Sequence, residues 1–501
     1  MRAPFANARS PARIAHIIPR AREWRARVSD DESAARAARA RVRASARVDA
    51  RDDDDVVDDD VRWDVVRALC DDVNRAIAHG APGERALKRC QKMKEVTNEE
   101  RRAVAANALG GEVMRLRIAR EMACAMSRSS DAARALERLN DIGERMTMAY
   151  WCAKRSGSER AGATPSDEAL VAMYGKDVEA YIADVREENL TWSDEQSERY
   201  SMPSALARAL AEELGAEDAA ALSRAMNERG PVVCRANAAR GVEKGEIVRM
   251  LRDEGAGNVV EAFANLSPGA FWMKDGAPAK GGIYGSRTWN DGYYEVQDEG
   301  SQLIVDAVEA RPGDVVFDAC AGNGGKTLAL ASSMLGRGKI CAFDVNKSRL
   351  KHLLANAKRA RVQDMIEVLD IDSVDELESE SFDAVLVDAP CSSVGALRRS
   401  PSLRYSYDDP SALAQVQSSI LESVSRLVKP GGRLVYATCS VLSVENQKVA
   451  RSFETKHPEF SHWAFDAPIP TARRVQLLAH ERLLLPHITG TDGFYMVRYK
   501  R

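Results

Sequence analysis

Two cysteines occupy matching places in the chain. Cys391 closes the stretch "FDAVLVDAPC", and Cys439 closes "LVYATC". In each, an apolar run of the kind buried in a parallel strand passes into small or polar residues and then a thiol. Ligand sites of open α/β sheets lie outside the carboxyl ends of the strands, so both thiols are expected to project into one crevice. A thiolate there is a nucleophile that can form a covalent intermediate. A second thiol and the nearby carboxylate of Asp388 would assist the later steps, in which a proton must leave and the nucleophile must be eliminated.

These side chains need a sheet to hold them, and the surrounding sequence writes one. "DVVFDAC", "KICAFDV", "IEVLDI" and "FDAVLVDA" alternate with helical stretches through "TLALASSML" and "KSRLKHLLANAKRA". This is the βαβ rhythm of a doubly wound, mostly parallel sheet.

The first turn of that sheet carries "DACAGNGGKT". Gly322, Gly324 and Gly325 let the backbone pass close beneath a ligand, and the following helix presents free N–H groups to it. As a phosphate loop the stretch fails, because Cys320 stands where the Walker pattern needs its first glycine. As a dinucleotide fingerprint it is imperfect, with Thr327 in the third glycine's place. Asp344, at the end of the next strand, lies where an acidic residue binds ribose hydroxyls. Asp372, after the third strand, is placed to reach the adenine side, with Asp370 as its substitute. An adenosine-containing cofactor follows, and both NAD and S-adenosylmethionine satisfy it.

The thiols separate these two. Hydride transfer has no use for a pair of strand-end cysteines, whereas methylation of cytosine at carbon 5 does. That carbon is too weak a nucleophile to attack a methyl sulfonium until a thiolate adds at carbon 6 and turns the ring into an enamine.

Composition bounds the rest. The chain has 501 residues, 45% hydrophobic and 29% charged, with a net charge of −3. That is the make-up of a globular protein of two or three domains, whose nucleic-acid face, if any, must be locally basic. No apolar run is long enough to span a membrane. Nine scattered cysteines form neither a disulfide framework nor a metal pattern, so no metal is expected. The first 58 residues read as a leader. "MRAPFANARSPARIAHIIPRAR" has no acidic residue before Glu23 and suits an organelle transit peptide, for chloroplast or mitochondrion, or a basic tail that grips RNA. "RDDDDVVDDDV" then reads as a solvated linker. Residues 59–226 read as a helical domain. Val65, Leu69, Val73 and Ile77 form an apolar stripe closed by Gly80, and Thr97 with Glu100 fits a capping box. Arg115, Arg117 and Arg120 lie on a charged helix face available to phosphates. Residues 227–299 read as a small α+β module, with "VEKGEIVRMLRDEG" as its helix, and residues 300–501 as the cofactor-binding domain.

"DACAGNGGKT", "LVDAPCSSVGALRRSP", "YATCSV" and "LLLPHITGTDGFYMVRYKR", preceded by "PVVCRAN" and "YYEVQDEGSQ", closely resemble the motifs of the Nop/Sun family of RNA 5-methylcytosine methyltransferases, in particular its RsmB-like rRNA branch. The resemblance covers roughly residues 228–501. The family's glycine loop commonly has Ala-Pro where Gly322 and Asn323 stand here. The resemblance implies a Rossmann-like S-adenosylmethionine-dependent methyltransferase domain, preceded by a small α+β module and an all-helical, NusB-like RNA-binding domain. It implies Cys439 as nucleophile and Cys391 as the group that assists release of the methylated base. It further implies that S-adenosylmethionine is held by Cys320, Ala321, Gly322, Asn323, Gly324, Gly325 and Lys326 with Asp344, Asp372 and Asp388, the last also orienting the base.

A cytosine stacked in a duplex cannot be attacked at carbon 6, so the substrate must be unpaired or flipped. Arg398, Arg399 and Arg404 follow the Cys391 turn and are expected to hold its flanking phosphates. The expected partner is ribosomal RNA, with tRNA as the alternative within the class, and the expected state is a monomer with no membrane association. From other classes, a non-catalytic RNA-binding assembly factor would fail to bind S-adenosylmethionine, and a small-molecule methyltransferase would act on free nucleosides.

Overall fold

The structure is a computed structural model. It describes residues 199–501 apart from 258, 261–263, 265, 275–282 and 372, and before residue 199 it describes Trp63–Ala78, Asp167–Tyr174, residues 147–151 and scattered single or paired positions. The leader, the acidic run, Gly80, Arg115, Arg117, Arg120 and Asp372 lie outside the described residues. The chain divides into two compact units. One comprises Met1–Ala207 with Ser400–Ser406, and the other Arg208–Arg399 with Tyr407–Arg501.

In the first unit, helix α1 (Trp63–Ala78) buries Val65, Leu69 and Val73 together with Val66 and Cys70. The stripe is thus wider than one residue in four, as a helix packed into a core requires. Helix α2 (Asp167–Tyr174) buries Leu170 and Tyr174. The capping box is present in both directions. The Thr97 N–H donates to Glu100 Oε2 at 2.8 Å, and the Glu100 N–H donates to Thr97 Oγ1 at 3.2 Å.

The boundary between the units falls after Ala207, inside α3 (Ser204–Leu214). Glu213 accepts from the Ser443 N–H and hydroxyl, at 3.2 and 2.6 Å, while Asp218 in α4 (Ala216–Ala225) pairs with His487 at 3.3 Å. These bonds tie the end of the helical region to the C-terminal part of the chain.

In the second unit, β1 (Val233–Ala236), α5 (Lys244–Asp253), β2 (Val259–Val260), β3 (Ala270–Met273) and β4 (Tyr294–Val296) make the small α+β module. Its antiparallel sheet has the order β2-β3-β1-β4. The larger sheet has helices α6 (Glu299–Val308), α7 (Gly325–Ser333), α8 (Lys347–Ala360), α9 (Ser411–Ser425) and α10 (Gln447–Lys456). Its strands are β5 (Val315–Asp318), β6 (Lys339–Ala342), β7 (Ile366–Val368), β8 (Phe382–Asp388), β9 (Val428–Thr438), β10 (Ser461–His462), β11 (Glu481–Leu484) and β12 (Phe494–Lys500). They lie in the order β10-β12-β9-β8-β5-β6-β7, with β11 against β12. Strands β5 to β9 pair in parallel, and β12 runs antiparallel beside β9. This is the doubly wound, mostly parallel architecture that the alternation of strands and helices predicts. Ala384 to Val387 and Leu434 to Ala437 are fully buried, which is why both strands read as unbroken apolar runs rather than alternating ones. Among the described residues, no helix is long and apolar enough to cross a membrane.

Candidate active site

Strands β5 and β8 lie side by side, yet the chain leaves β5 towards β6 and leaves β8 towards β9. Such a reversal opens a crevice at the carboxyl ends of the strands. A cavity of about 650 Å³ occupies it, and its wall includes every residue from Cys320 to Lys326 except Gly324, together with Asp344, Asp388, Cys391 and Cys439. Asp372 lies outside the described residues, though Ser373 and Val374 beside it line the cavity. Asp370, its substitute, is 89% exposed and paired with Lys347 at 2.8 Å.

One wall of the cavity is shaped by backbone. Asp344 accepts from the Gly322 N–H at 2.9 Å through one oxygen and from the Asn346 N–H at 2.8 Å through the other. Gly324 caps α7 with a φ of +89°, and a Cβ there would come 2.2 Å from Leu353 Cδ1, so the turn admits no side chain. Thr327, in the place of a third glycine, donates to Asp318 Oδ2 at 2.7 Å and ties the helix to β5. Burial pushes the Asp318 carboxyl up to about 6, against the pull of that hydrogen bond. The small sheet braces the loop from outside. Gln297 donates to Gly325 O at 3.4 Å and accepts from Arg235 Nε at 2.8 Å. The stretches "PVVCRAN" and "YYEVQDEGSQ" thus meet at the cavity's edge.

The opposite wall carries the thiols. Cys391 Sγ and Cys439 Sγ are 3.2 Å apart, and Ser393 Oγ lies 3.3 Å from Cys439 Sγ. The pair has a polarity. The hydrogen bond from Cys391 lowers the Cys439 pKa below the ordinary thiol value, helped by Ser393 and Lys326, against burial and the Asp388 charge. The same bond, with burial, holds Cys391 well above that value. Burial raises Cys320 as well, which leaves it a neutral wall residue. Between the walls, Lys326 Nζ meets Asp388 Oδ2 at 2.6 Å. Burial works against the Lys326 ammonium, but the Asp388 carboxylate outweighs it and raises the lysine pKa.

Three supports of this wall escape a reading by motif. Glu445, fully buried, accepts from Ser392 and Ser440. Gly395 donates its N–H to Cys439 O at 2.9 Å and receives the Gly493 N–H at 2.8 Å, and a Cβ on Gly395 would sit 2.1 Å from Gly493 O. The third is a buried ion cluster, and it overturns the expected phosphate contacts. Arg398 is buried between Asp492, Asp298 and Gly490 O. Arg399 joins Asp492 at 2.9 Å and Asp298 at 3.0 Å and donates to Pro231 O. Arg404 is fully buried and donates to Ser201 O. Two buried carboxylates demand cations, and Arg398 and Arg399 meet that demand inside the protein, whereas Arg404 is no part of this cluster. The signal was available in Asp298 and Asp492, but both lie more than 90 residues from Arg398 and Arg399.

The cavity's donor set suits an adenosine-containing methyl donor. Asp344 faces it with a carboxylate, the loop with peptide groups, and Phe343 and Val374 with apolar surface. Gly325 lines the cavity, and a Cβ there would stand in open space.

Residues 305–500 match the family model described as "16S rRNA methyltransferase RsmB/F". The chain is 36% identical over 227 residues to a probable ribosomal RNA small subunit methyltransferase B of Bacillus subtilis, covering 44% of this chain and 51% of that one. It spans about half the length of the curated relatives it matches. Among solved structures, it is similar to the protein titled PH0851, with a TM-score of 0.66 and 24% identity over 87% of this chain and 98% of that one. A methyltransferase homolog protein from Pyrococcus horikoshii gives a TM-score of 0.53 and 25% identity, covering 61% and 97%.

Proposed function

We propose that the chain, whose residues 305–500 match the model of the RsmB/F methyltransferase family, is an RNA (cytosine-C5) methyltransferase acting on ribosomal RNA, with Cys439 as its nucleophile. The observation that carries this reading is the contact between Cys391 and Cys439 at 3.2 Å, on the wall that faces the glycine loop. S-adenosylmethionine, the cofactor of such a domain, supplies when bound a methyl group on a positively charged sulfur.

The rest falls to the chain's own residues. The glycine loop and Asp344 would hold the cofactor's nucleoside, with Ser373 and Val374 lining the same cavity. Cys439, kept as the acceptor of the thiol pair, presents a thiolate below the usual pH of ionisation. Its sulfur bonds to carbon 6 of the cytosine, and the ring's electron pair shifts towards carbon 5. Asp388, fixed by Lys326, orients the ring from the junction of the two walls. Once carbon 5 carries the methyl group, a base takes its proton, the electron pair of that C–H bond forms the ring double bond, and the C6–S bond breaks with its electrons left on the Cys439 sulfur. Cys391 donates to the departing sulfur and stabilises it as a thiolate.

The test is methyl transfer from labelled S-adenosylmethionine to unmodified small-subunit rRNA and to tRNA, with wild type, Cys439→Ala and Cys391→Ala. Label on carbon 5 of rRNA cytosine is expected with wild type and none with Cys439→Ala, and Cys391→Ala should trap a protein–RNA adduct. Label retained by Cys439→Ala would remove the nucleophile assignment, and label on tRNA alone would change the substrate class.

A further inference from the structure

The two thiols sit beyond the point where the sheet can hold them. Strands β8 and β9 are paired as far as Asp388 and Ala437, and the Ala389 N–H to Ala437 O bond, at 2.9 Å, is the last rung. Past it, the segments bearing Cys391 and Cys439 are loops, and a gap of one or two ångströms between them would break the thiol contact.

Glu445 closes that gap from behind. It is fully buried, and none of the ion pairs among the described residues includes it. Its oxygens are occupied by hydrogen-bond donors alone. One accepts the Ser392 N–H at 2.8 Å and Gln417 Nε2 at 3.1 Å. The other accepts the Ser392 hydroxyl and the Ser440 hydroxyl, each at 2.5 Å. Ser392 follows Cys391 and Ser440 follows Cys439, so a single carboxylate grips the neighbour of each thiol. The grip is itself anchored. Tyr436 donates its hydroxyl to Glu445 O at 2.5 Å, Gln417 also donates to Pro390 O at 2.9 Å, and Asn446 takes the Thr438 hydroxyl at 2.6 Å while donating to Ser440 O at 3.0 Å. Desolvating a carboxylate is expensive unless its hydrogen bonds are met in full. Here four donors from three segments meet them, and they do so only while both loops stay in place.

We propose that Glu445 is a positioning residue that holds the two thiols in contact and fixes Cys391 as the donor of the pair. The charge works in the same direction as the geometry, since the anion beside Cys391 disfavours a second negative charge there and leaves Cys439 as the thiolate. Asp388 and Lys326 act on the pair from the cavity side. Glutamine at position 445 keeps the shape, and the two serine hydroxyls can turn to accept from its amide. Glu445→Gln therefore removes the charge and weakens the grip without leaving a hole. The inference rests on the reading of Cys439 as nucleophile only for its effect on turnover.

The experiment compares full-length wild type with Glu445→Gln, Ser392→Ala, Ser440→Ala and the double serine variant. Each is treated with limiting iodoacetamide at fixed pH and mapped by peptide mass spectrometry, in parallel with kcat and KM for RNA methylation. Wild type should label first at Cys439. Glu445→Gln should label Cys439 about tenfold more slowly and spread label to Cys391, with kcat falling about tenfold and KM for RNA within about twofold. The serine effects should be far from additive, because both act through one carboxylate. Cys439 labelled at the wild-type rate in Glu445→Gln, or serine effects that simply multiply, would overturn the proposal. A wild type that methylates no RNA but shows the expected labelling pattern would remove the functional reading and leave the positioning role standing.

Discussion

The two walls of the cavity are built on different principles. The glycine-loop wall is local: its turn is set by Gly324, and its one cross-strand carboxylate, Asp344, reaches back only 22 residues to Gly322. The thiol wall is assembled from afar, with Glu445 reaching 53 residues to Ser392, Gly493 crossing Gly395, and Asp492 holding Arg398 across 94 residues. A backbone cradle tolerates change around it, because its shape is written in its own dihedral angles. A wall of interlocked side chains fails when any one member is lost, because the partners left behind are buried polar groups without bonds.

The sharpest contrast comes from the thiols. Cys439→Ala should lower methyl transfer by at least about a thousandfold while leaving cofactor affinity within about twofold, measured by single-turnover kinetics and calorimetry. A large loss of cofactor affinity would show that the walls are not separate. Next comes Arg398→Ala, which leaves two buried carboxylates to share the single charge of Arg399 and should destabilise the folded state by about 3 kcal/mol in denaturant unfolding. A change under about 1 kcal/mol would mean that the cluster is not an internal support. Gly395→Ala should follow at about 2 kcal/mol, since the new Cβ meets Gly493 O. It should also slow Cys439 alkylation, because Gly395 holds the Cys439 carbonyl.

On the other wall, Asp318 gives a pH test. Its carboxyl lies at about 6 in the folded chain against an ordinary 3.8. The folded state therefore holds this proton more tightly than the unfolded one. The contribution to stability is complete below about 3.8 and is lost as pH rises through about 6. Asp318→Asn should remove up to about 2 kcal/mol of the stability difference between pH 5 and pH 7.5, and an unchanged slope would contradict the assignment. The subtlest change is in Cys391→Ala, where loss of the donor should move the alkylation midpoint of Cys439 to higher pH.

The sequence was most readable where function depends on neighbours in the chain. Cys391 and Cys439 follow strand-like runs, and the strands are there, in parallel register from Ala384 with Arg433 to Asp388 with Ala437. The glycine turn and Asp344 were readable for the same reason. Glu445 was not, because in "VLSVENQK" a glutamate just ahead of a helix looks like any solvated helix start, and only the β8–β9 pairing brings it behind both thiols. Arg398, Arg399 and Arg404 misled for the converse reason. A run of basic residues after a catalytic turn suggests an RNA grip, but its charge is spent on buried acids and carbonyls whose positions only the fold reveals.

The Lys326–Asp388 pair stands where the two walls meet, with the cofactor's loop on one side and the thiols on the other. Any ligand that reorients that lysine or that carboxylate alters the welcome given to its companion. Linkage makes this influence mutual: if cofactor strengthens the hold on RNA by some factor, RNA must strengthen the hold on cofactor by the same factor. Under the proposed function, a single ion pair would thereby give cofactor and RNA, ligands of very different size, a common thermodynamic account of each other's arrival.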